Sequence, residues 1–310
     1  MKENKTLIKP FKLTPIVKYV YGVVPSRRLG KSLGVNVIPR KTCSYSCVYC
    51  QLGRTTNKTI KRRSFFPKEE ILEEIVRRTK EVDFEYVTFV GEGEPTLCKD
   101  LGWLIEKTKE FAKVAVITNG SLLFDEDVRN ELVECDVVIP SLDAADQKTF
   151  LRVNRPFRGL LIAEIVEGVV EFRKIFNGEL NVEIMLVKGY NDSVDTLSKI
   201  RDALSKIKPD RVYIMSFTRP PAEDVEPVDD VGLFLARSVI DNVKAELITS
   251  PEQGEFGIES AEDLISVLRR HPMRREQIEV FLKILDLDFK RIKNLGVKEV
   301  RYRDEIYYIA

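Results

Sequence analysis

Short runs of β-branched residues alternate with amphipathic helical segments along most of this chain, and this alternation limits the folds open to it. The candidate strands lie at residues 35–38, 86–90, 114–118, 137–141, 182–187 and 212–216. Residues 67–82 illustrate the helical pattern, because they open with Pro67 and place Ile71 and Ile75 near one face. Ser193 stands where the cap of a helix over residues 194–207 is expected. Strands that are each followed by a helix predict an α/β fold with a parallel sheet, either doubly wound or a partial (βα)6 barrel.

The pattern changes near residue 257, where strand–helix alternation stops. Residues 259–270, 274–285 and 287–295 are typical of three short helices, and a hairpin that turns at Arg303 and Asp304 follows them. Three helices and a hairpin predict a small winged-helix-like domain. We therefore expect a basic N-terminal extension over residues 1–24, the partial barrel over 25–254, and this C-terminal domain over 255–310.

Composition excludes several classes of protein. Of the 310 residues, 44% are hydrophobic and 32% are charged, which is typical of a soluble globular protein, and no apolar run approaches a membrane span. The N-terminal sequence lacks a signal-peptide pattern, so we expect a cytoplasmic protein and free thiols. The single histidine, His271, excludes zinc-protease chemistry that needs two histidines, and we interpret it as structural.

The basic residues are unevenly distributed. Between Glu3 and Glu69 the chain has 15 lysines and arginines and no acidic residue. An acid-free run of this length favours an anionic partner, because a solvated surface normally mixes both signs. The candidates are tRNA or another RNA, and an acidic electron donor such as a ferredoxin or flavodoxin.

Three of the five cysteines, Cys43, Cys47 and Cys50, lie within eight residues. Thiolates at this spacing can surround one cubane iron–sulfur cluster and leave one iron without a protein ligand. Zinc is the main alternative, but a structural zinc site takes four ligands and no fourth one is nearby. The sequence therefore predicts one 4Fe-4S cluster bound by these three cysteines.

The spacing CxxxCxxC, with Tyr49 before the last cysteine, resembles the radical S-adenosylmethionine (SAM) superfamily. The resemblance implies that SAM chelates the open iron, that Tyr49 stacks near its adenine, and that reductive cleavage gives a 5′-deoxyadenosyl radical. This radical would abstract hydrogen from a substrate, while the protein supplies orientation and excludes side reactions.

Other motifs follow the cluster motif in the order that the superfamily has. The segment GEGEPTL at residues 91–97 resembles the GGE motif and implies that Gly93 and Glu94 hold the methionine amino group, with Glu92 in place of the first glycine. The segments TNGS at 118–121 and SLD at 141–143 resemble those that touch the carboxylate and ribose. The cofactor-binding residues implied are Tyr49, Gly93, Glu94, Thr118, Asn119, Ser141, Asp143 and Asn154.

Further segments are YGVVPSRRLGKSLGVNVIP before the cluster motif, CVYCQLGRTT after it, VNRP at residues 153–156 and RPP at 219–221. With these segments, most of residues 21–221 resembles the branch that includes archaeal wyosine-forming tRNA enzymes. Those enzymes carry further N-terminal cysteines for a second cluster, whereas this chain has none before Cys43. Cys98 and Cys135 are too isolated to make one, so wyosine synthesis itself is not predicted. We interpret Cys135 as a core residue, and Cys98 as a packed thiol or a residue at the mouth of the site.

The sequence leaves the substrate and the catalytic residues unknown. The leading hypothesis is radical SAM modification of tRNA or another RNA, because the basic run encloses the cluster motif. One alternative is a glycyl-radical activase or another protein-modifying enzyme of this superfamily. The other is a non-catalytic iron–sulfur regulator whose winged helix binds DNA.

Overall fold

The structure is a computed structural model that describes residues 19–249, 254 and 256–310. The N-terminal extension expected over residues 1–24 lies largely outside these residues. The strands are β1 (Val20–Ser26), β2 (Gly30–Val35), β3 (Thr42–Cys43), β4 (Asn57–Lys58), β5 (Tyr86–Phe89), β6 (Val114–Thr118), β7 (Val137–Pro140), β8 (Glu179–Leu186), β9 (Arg211–Ser216), β10 (Ala245–Ile248), β11 (Met273–Arg274), β12 (Lys298–Tyr302) and β13 (Glu305–Ile309).

The helices lie between these strands. They are α1 (Lys68–Arg78), α2 (Leu101–Lys109), α3 (Glu126–Leu132), α4 (Gln147–Val153), α5 (Ile162–Ile175), α6 (Val194–Ile207), α7 (Asp230–Val239), α8 (Ala261–Arg270), α9 (Arg275–Ile284) and α10 (Phe289–Asn294). Ser193 caps α6 as expected, since its side chain accepts a hydrogen bond from the Thr196 N–H.

The main sheet has eight strands in the order β1-β2-β5-β6-β7-β8-β9-β10. Every neighbouring pair is parallel except β1 and β2, which form an antiparallel edge. From β2 onward the spatial order follows the chain order without the reversal that defines a doubly wound sheet. The sheet is therefore a curled, mostly parallel partial barrel, which confirms the barrel alternative.

Burial explains why the helices cover this sheet. The strands β5 to β9 are almost fully buried, as in parallel sheets that are covered by helices. The main core lies between the sheet and its helices, where Ile71, Ile75, Phe172 and Leu204 pack against strand residues. As a result, the loops at the carboxyl ends of the strands are free to build a site.

Three strands of the main sheet, β1, β2 and β10, differ from the expectation. The edge strand β1 was not expected, because Gly22 and Pro25 interrupt its apolar run, and prolines of this kind are tolerated at sheet edges. The expected strand at 35–38 was wrong beyond its first residue, since Val35 ends β2. Val37 and Ile38 are buried in the loop that leads to the cysteine motif, so their apolar character reflects packing rather than a strand.

The C-terminal residues form a compact unit of three helices and a three-stranded antiparallel sheet, ordered β11-β13-β12. Its core includes Leu264, Val267, Ile278 and Tyr308. The expected hairpin is present and turns at Arg303, whose φ is 55°. The winged-helix designation and the domain boundaries remain predictions.

This unit packs directly against the barrel next to the cysteine motif. The Arg270 carbonyl accepts a hydrogen bond from Gln51 at 2.8 Å, and the Pro272 carbonyl accepts one from Arg219 at 3.1 Å. The Tyr307 hydroxyl donates to the Thr218 carbonyl at 2.7 Å. These contacts hold the C-terminal unit at the carboxyl end of the barrel.

Within the part of the chain that the structure describes, we find no helix with the length and apolar character needed to cross a membrane.

Candidate active site

The three closely spaced cysteines border one cavity of about 350 Å³ at the carboxyl end of the barrel. Cys43 ends β3, and Cys47 and Cys50 lie in the loop between β3 and β4. All three side chains are partly exposed. The same cavity receives residues from β1, β2, β9 and the C-terminal unit, so the cysteine loop forms part of its wall.

Distant backbone segments fix the shape of this loop. The Val48 N–H donates to the Val153 carbonyl at 2.9 Å, and the Ser46 N–H donates to the Asn154 carbonyl at 3.0 Å. Within the loop, the Cys50 N–H donates to the Cys47 carbonyl at 3.2 Å. The end of α4 and the residue that follows it therefore support the loop.

Glu94 is the centre of a first hydrogen-bond network. Its carboxylate is 1% exposed and accepts hydrogen bonds from the Thr96 N–H and hydroxyl, the Thr118 hydroxyl and the Asn119 N–H, at 2.6–3.0 Å. Burial raises the pKa of this carboxyl group, while the donated hydrogen bonds oppose the rise. The Asn119 side-chain amide donates to the Cys43 sulfur at 3.5 Å, so the network reaches the first cysteine.

Asp143 is the centre of a second network on the other side of the loop. Its Oδ2 accepts hydrogen bonds from the Tyr49 hydroxyl and the Asn154 amide, both at 2.6 Å, and its Oδ1 accepts one from the Met185 N–H at 2.9 Å. The Asn154 amide also donates to the Cys47 sulfur at 3.5 Å. Each of the two buried acids is therefore linked through an asparagine to a different cysteine.

Gly93 is required by the packing of backbone on backbone. A Cβ atom at this position would lie 1.8 Å from the Thr42 carbonyl oxygen, which is closer than any real contact. That carbonyl accepts the Glu94 N–H at 3.1 Å and joins the GEGE segment to the start of the cysteine loop. The close approach at Gly93 is therefore made to the cysteine loop itself, and a contact between Gly93 and a cofactor stays a prediction.

The donor set fits an iron–sulfur cubane. Burial raises the pKa of the Cys43 thiol to about 12 and also raises the pKa values of Cys47 and Cys50, so iron must displace protons when it binds. Among the described residues, no three His, Cys, Asp or Glu side chains gather tightly enough to hold a single metal ion. Thiolates on a cubane each bind a different iron and need not converge on one point.

The structure brings the predicted site residues together in two ways. Tyr49 and Gly93 border the cavity, where they are placed to touch a cofactor. The side chains of Glu94, Thr118, Asn119, Asp143 and Asn154 instead make the hydrogen bonds that support the cysteine loop. Ser141 is held through its backbone, which donates to the Thr118 carbonyl at 3.0 Å. Direct cofactor contacts from all of these residues remain predictions.

Sequence reasoning missed part of the cavity wall. Arg270 and His271 border it from the C-terminal unit, and the His271 Nε2 lies 2.5 Å from the Arg219 Nη2. Arg219 and Glu92 also border the cavity. Glu92 carried a usable signal, because it breaks the glycine pattern of a motif at a strand end. Arg270 and His271 lie in a separate unit of the chain, and no local pattern connects them to the barrel.

The two remaining cysteines are packed thiols. Cys98 and Cys135 are 1% and 4% exposed and belong to the main core. Burial raises the pKa of Cys98 to about 11 and also raises that of Cys135. Cys98 lies in the core rather than at the mouth of the cavity.

Replacing Asn154 by Ala is expected to lower the midpoint potential of the bound cluster. An N–H group that donates to a ligating sulfur stabilises the more negative, reduced state, and the variant removes this group from Cys47. A redox titration followed by electron paramagnetic resonance measures the shift. An exposed asparagine variant, Asn242→Ala, is the control, and equal potentials in the three proteins would contradict the prediction.

The fold and the cysteine site together define a class of enzyme. A family model for the Radical SAM superfamily matches residues 37–200, which include the cysteine loop and both acid-centred networks. The chain belongs to this superfamily and is an enzyme of the radical SAM class. Members use a 4Fe-4S cluster and SAM, in agreement with the donor set described above.

Within the superfamily the chain belongs to the UPF0026 family. It is 36% identical over 304 residues to the UPF0026 protein of Methanocaldococcus jannaschii, which covers 93% of this chain and 95% of that protein. This match extends beyond the barrel into the C-terminal unit.

Solved structures share the barrel. A radical SAM methyltransferase from Sphaerobacter thermophilus superposes with a TM-score of 0.57 at 16% identity, over 70% of this chain and 65% of that one. TYW1 with a lysine–pyruvate adduct bound gives a TM-score of 0.51 at 19% identity, over 73% and 78% of the two chains. At these identities the likeness shows the fold.

Proposed function

We propose that this radical SAM enzyme modifies RNA, with tRNA as the first candidate. When they are bound, the cluster and SAM supply a 5′-deoxyadenosyl radical that abstracts hydrogen from the substrate. Cys43, Cys47 and Cys50 would hold the cluster, and the cavity beside them would exclude water from the reaction. The observation that supports the choice of RNA is a set of exposed cations in the chain segment that carries the cysteine loop.

This exposed basic surface follows the chain around the cysteine loop. It consists of Arg40, Arg54, Lys58, Lys61 and Arg63, all of which are exposed. The Arg54 side chain is 74% exposed, and its Nη2 lies as far as 3.9 Å from the Glu223 Oε1. The Lys58 ammonium donates to the Arg155 carbonyl, which is neutral, at 3.1 Å. Among the described residues, Glu223 is the only carboxylate within ion-pair distance of this surface, so most of its positive charge is available to phosphates.

Other cations of the acid-free run are compensated within the fold. Arg62 pairs with Glu131 and donates to the Thr96 carbonyl at 2.8 Å, and Arg28 pairs with Glu183. The basic surface is thus smaller than the sequence alone indicated. Arg54 lies in the chain between Gly53 and Thr55, which both border the cavity, so a polyanion bound at Arg54 would lie beside it.

Phosphate contacts of this kind give sequence-independent affinity with a characteristic salt dependence. Each neutralised phosphate contributes a log–log slope of about −0.7 for single strands and about −0.9 for duplexes. The slope is therefore a direct measure of how many exposed cations meet phosphates.

Replacing the five exposed cations by Gln is expected to reduce the magnitude of the salt slope of tRNA binding by up to about 3.5 to 4.5, since up to five phosphate contacts are lost. Affinity at low salt should fall accordingly. Filter binding or fluorescence anisotropy over a salt series, with anaerobically reconstituted protein, provides the measurement.

The matched control carries five Gln replacements at exposed lysines on the outer helices and loops, namely Lys148, Lys174, Lys206, Lys208 and Lys244. It changes net charge equally, so a slope that drops to the same extent would refute the proposed surface. Absence of tRNA binding by wild type at low salt would refute the RNA proposal itself.

An acidic electron donor is the alternative partner for the same surface. It would make cluster reduction salt-sensitive without any RNA affinity. Titrating a ferredoxin or flavodoxin against wild type and the Gln variant therefore separates the two partners. A protein substrate, as in a glycyl-radical activase, would leave both titrations unaffected by the five replacements.

A further inference from the structure

A second cavity lies between the cysteine loop and the hairpin of the C-terminal unit. Its volume is about 320 Å³, at the lower end of the range for ligand pockets, and we call it the hairpin groove. The barrel lines it with residues 40–41, 51–53 and 220–221, and the C-terminal unit with Lys298, Val300, Ile309 and Ala310. The site described so far makes no use of this groove.

The hairpin groove is separate from the cavity that the cluster cysteines border. All three cysteines line that cavity and none of them lines the groove. Lys41 and residues 51–53 border both spaces and thus lie between them, whereas Arg40 and Lys298 border the groove alone. A cofactor on the open iron has to lie beside the cysteines, so it occupies the cavity and not the groove.

The side chains that line the groove carry an excess of positive charge. Three of them are cations, namely Arg40, Lys41 and Lys298, and none of these three makes a side-chain hydrogen bond or ion pair with another described residue. No described Asp or Glu lines the groove. Glu299 follows Lys298 in β12, but it points to the opposite face of the strand and is paired with Lys293 at 3.1 Å.

This uncompensated charge calls for an anion. Cations that share one groove repel each other, and a bound phosphate would relieve the repulsion through charge-assisted hydrogen bonds. The Lys41 ammonium lies against Gly53, where a Cβ atom would be 3.1 Å from its Nζ, so this charge sits at the wall of the groove. A terminal carboxylate at Ala310 would offset one charge and leave an excess of two.

Most of the remaining lining is apolar. It consists of Leu52, Pro220, Pro221, Val300 and Ile309. A nucleotide presents both kinds of group that such a lining fits, since its phosphate suits the cations and the faces of its base can cover apolar surface. The carboxylate side chains of an acidic protein offer only the charge.

The groove also continues the exposed basic surface onto the C-terminal unit. Arg40 belongs to both, and Arg54 of the basic surface follows Gly53, which borders the groove. An RNA strand bound at Arg40 would therefore lie beside Lys298 as well.

We propose that the hairpin groove binds a nucleotide of the RNA, with its phosphate among Arg40, Lys41 and Lys298. This site rests on the proposed RNA function and adds the C-terminal unit to the RNA-binding surface. Phosphate contacts set the position and orientation of a nucleic acid on a protein. A phosphate held by the barrel and the C-terminal unit together fixes the strand next to the cysteine cavity.

Lys298→Gln is expected to weaken tRNA binding by about 10-fold at about 50 mM salt and to lower the magnitude of the salt slope by about 0.7 to 0.9, since one cation no longer meets a phosphate. Fluorescence anisotropy over a salt series, with anaerobically reconstituted protein, measures both values. Lys298→Arg keeps the charge and should bind tRNA as wild type does.

Lys290→Gln is the matched control. Lys290 is an exposed lysine in α10 of the same unit and does not border the groove. Equal losses of affinity in Lys298→Gln and Lys290→Gln would show that only net charge matters, and the site would be refuted. Iron content and an unfolding free energy equal to those of wild type show that each variant is folded and loaded.

The remaining outcomes separate this site from the proposed function. Wild-type affinity and slope in Lys298→Gln, with tRNA bound by the wild-type protein, would overturn the groove and leave RNA modification standing. A wild-type protein that binds no tRNA at low salt would overturn both. If Lys298→Gln altered only the salt dependence of reduction by a ferredoxin or flavodoxin, the groove would serve an acidic protein and the nucleotide assignment would be wrong.

Discussion

Replacing Cys43, Cys47 or Cys50 by Ala is expected to reduce the iron content from about four irons per chain to nearly none. The three thiols border one cavity. A cubane that already has one open iron needs all three thiolates, one for each of its other irons. Removing any one thiolate leaves two irons exposed, and the cluster is lost on anaerobic desalting. Iron and sulfide analysis after reconstitution, together with the visible absorption spectrum, measures the effect.

The double variant Cys98→Ala and Cys135→Ala serves as the control for this experiment. Both residues are buried in the main core, so the variant is expected to lose some stability and to keep its iron. A single-cysteine variant of the loop that retains full iron would contradict the cluster assignment. Loss of several irons from the control would reveal a second cluster.

Replacing Glu94 by Ala is expected to lower the free energy of unfolding by more than about 3 kcal/mol, because it leaves several buried donors without an acceptor. These donors come from Thr96, Thr118 and Asn119. Denaturant titration of the apo-protein measures the change. If Glu94 served only to bind an ammonium group, the Glu94→Ala variant would have wild-type stability and weak cofactor binding.

Two variants serve as comparisons for Glu94→Ala. Glu94→Gln keeps the shape and part of the accepting capacity, so its loss of stability should be smaller. Glu110→Ala removes an exposed glutamate that contacts Lys107, and it should change the unfolding free energy by no more than about 0.5 kcal/mol. Wild-type stability of Glu94→Ala would show that the network around this acid contributes little.

The sequence predicted most strands of the barrel well, because each of these strands is a short and nearly continuous run of apolar residues. The strands near residues 86, 114, 137 and 212 appeared within one or two residues of their expected ends, and the Ser193 cap was confirmed. Edge strands were harder, since β1 contains Gly22 and Pro25 and the four-residue β10 is only half buried. Their pairing depends on neighbouring strands rather than on a periodic pattern.

The site was predictable where one motif held the residues and not where distant segments met. The cysteine spacing pointed to the cluster directly, whereas the role of Glu94 depends on Thr118 and Asn119, which follow another strand. The sequence suggested a contact between Glu94 and an ammonium group. The structure shows that its oxygens already accept bonds from the protein, so any such contact would be an additional one.

The hydrogen bonds that support the cysteine loop join segments that lie far apart in the sequence. Tyr49 and Asp143 are separated by 94 residues, and Cys47 and Asn154 by 107. During synthesis, the loop therefore leaves the ribosome long before the segments that give it its shape. Cluster insertion should be a late event in biogenesis, in which the iron–sulfur donor meets a folded barrel rather than a nascent peptide with three free thiols.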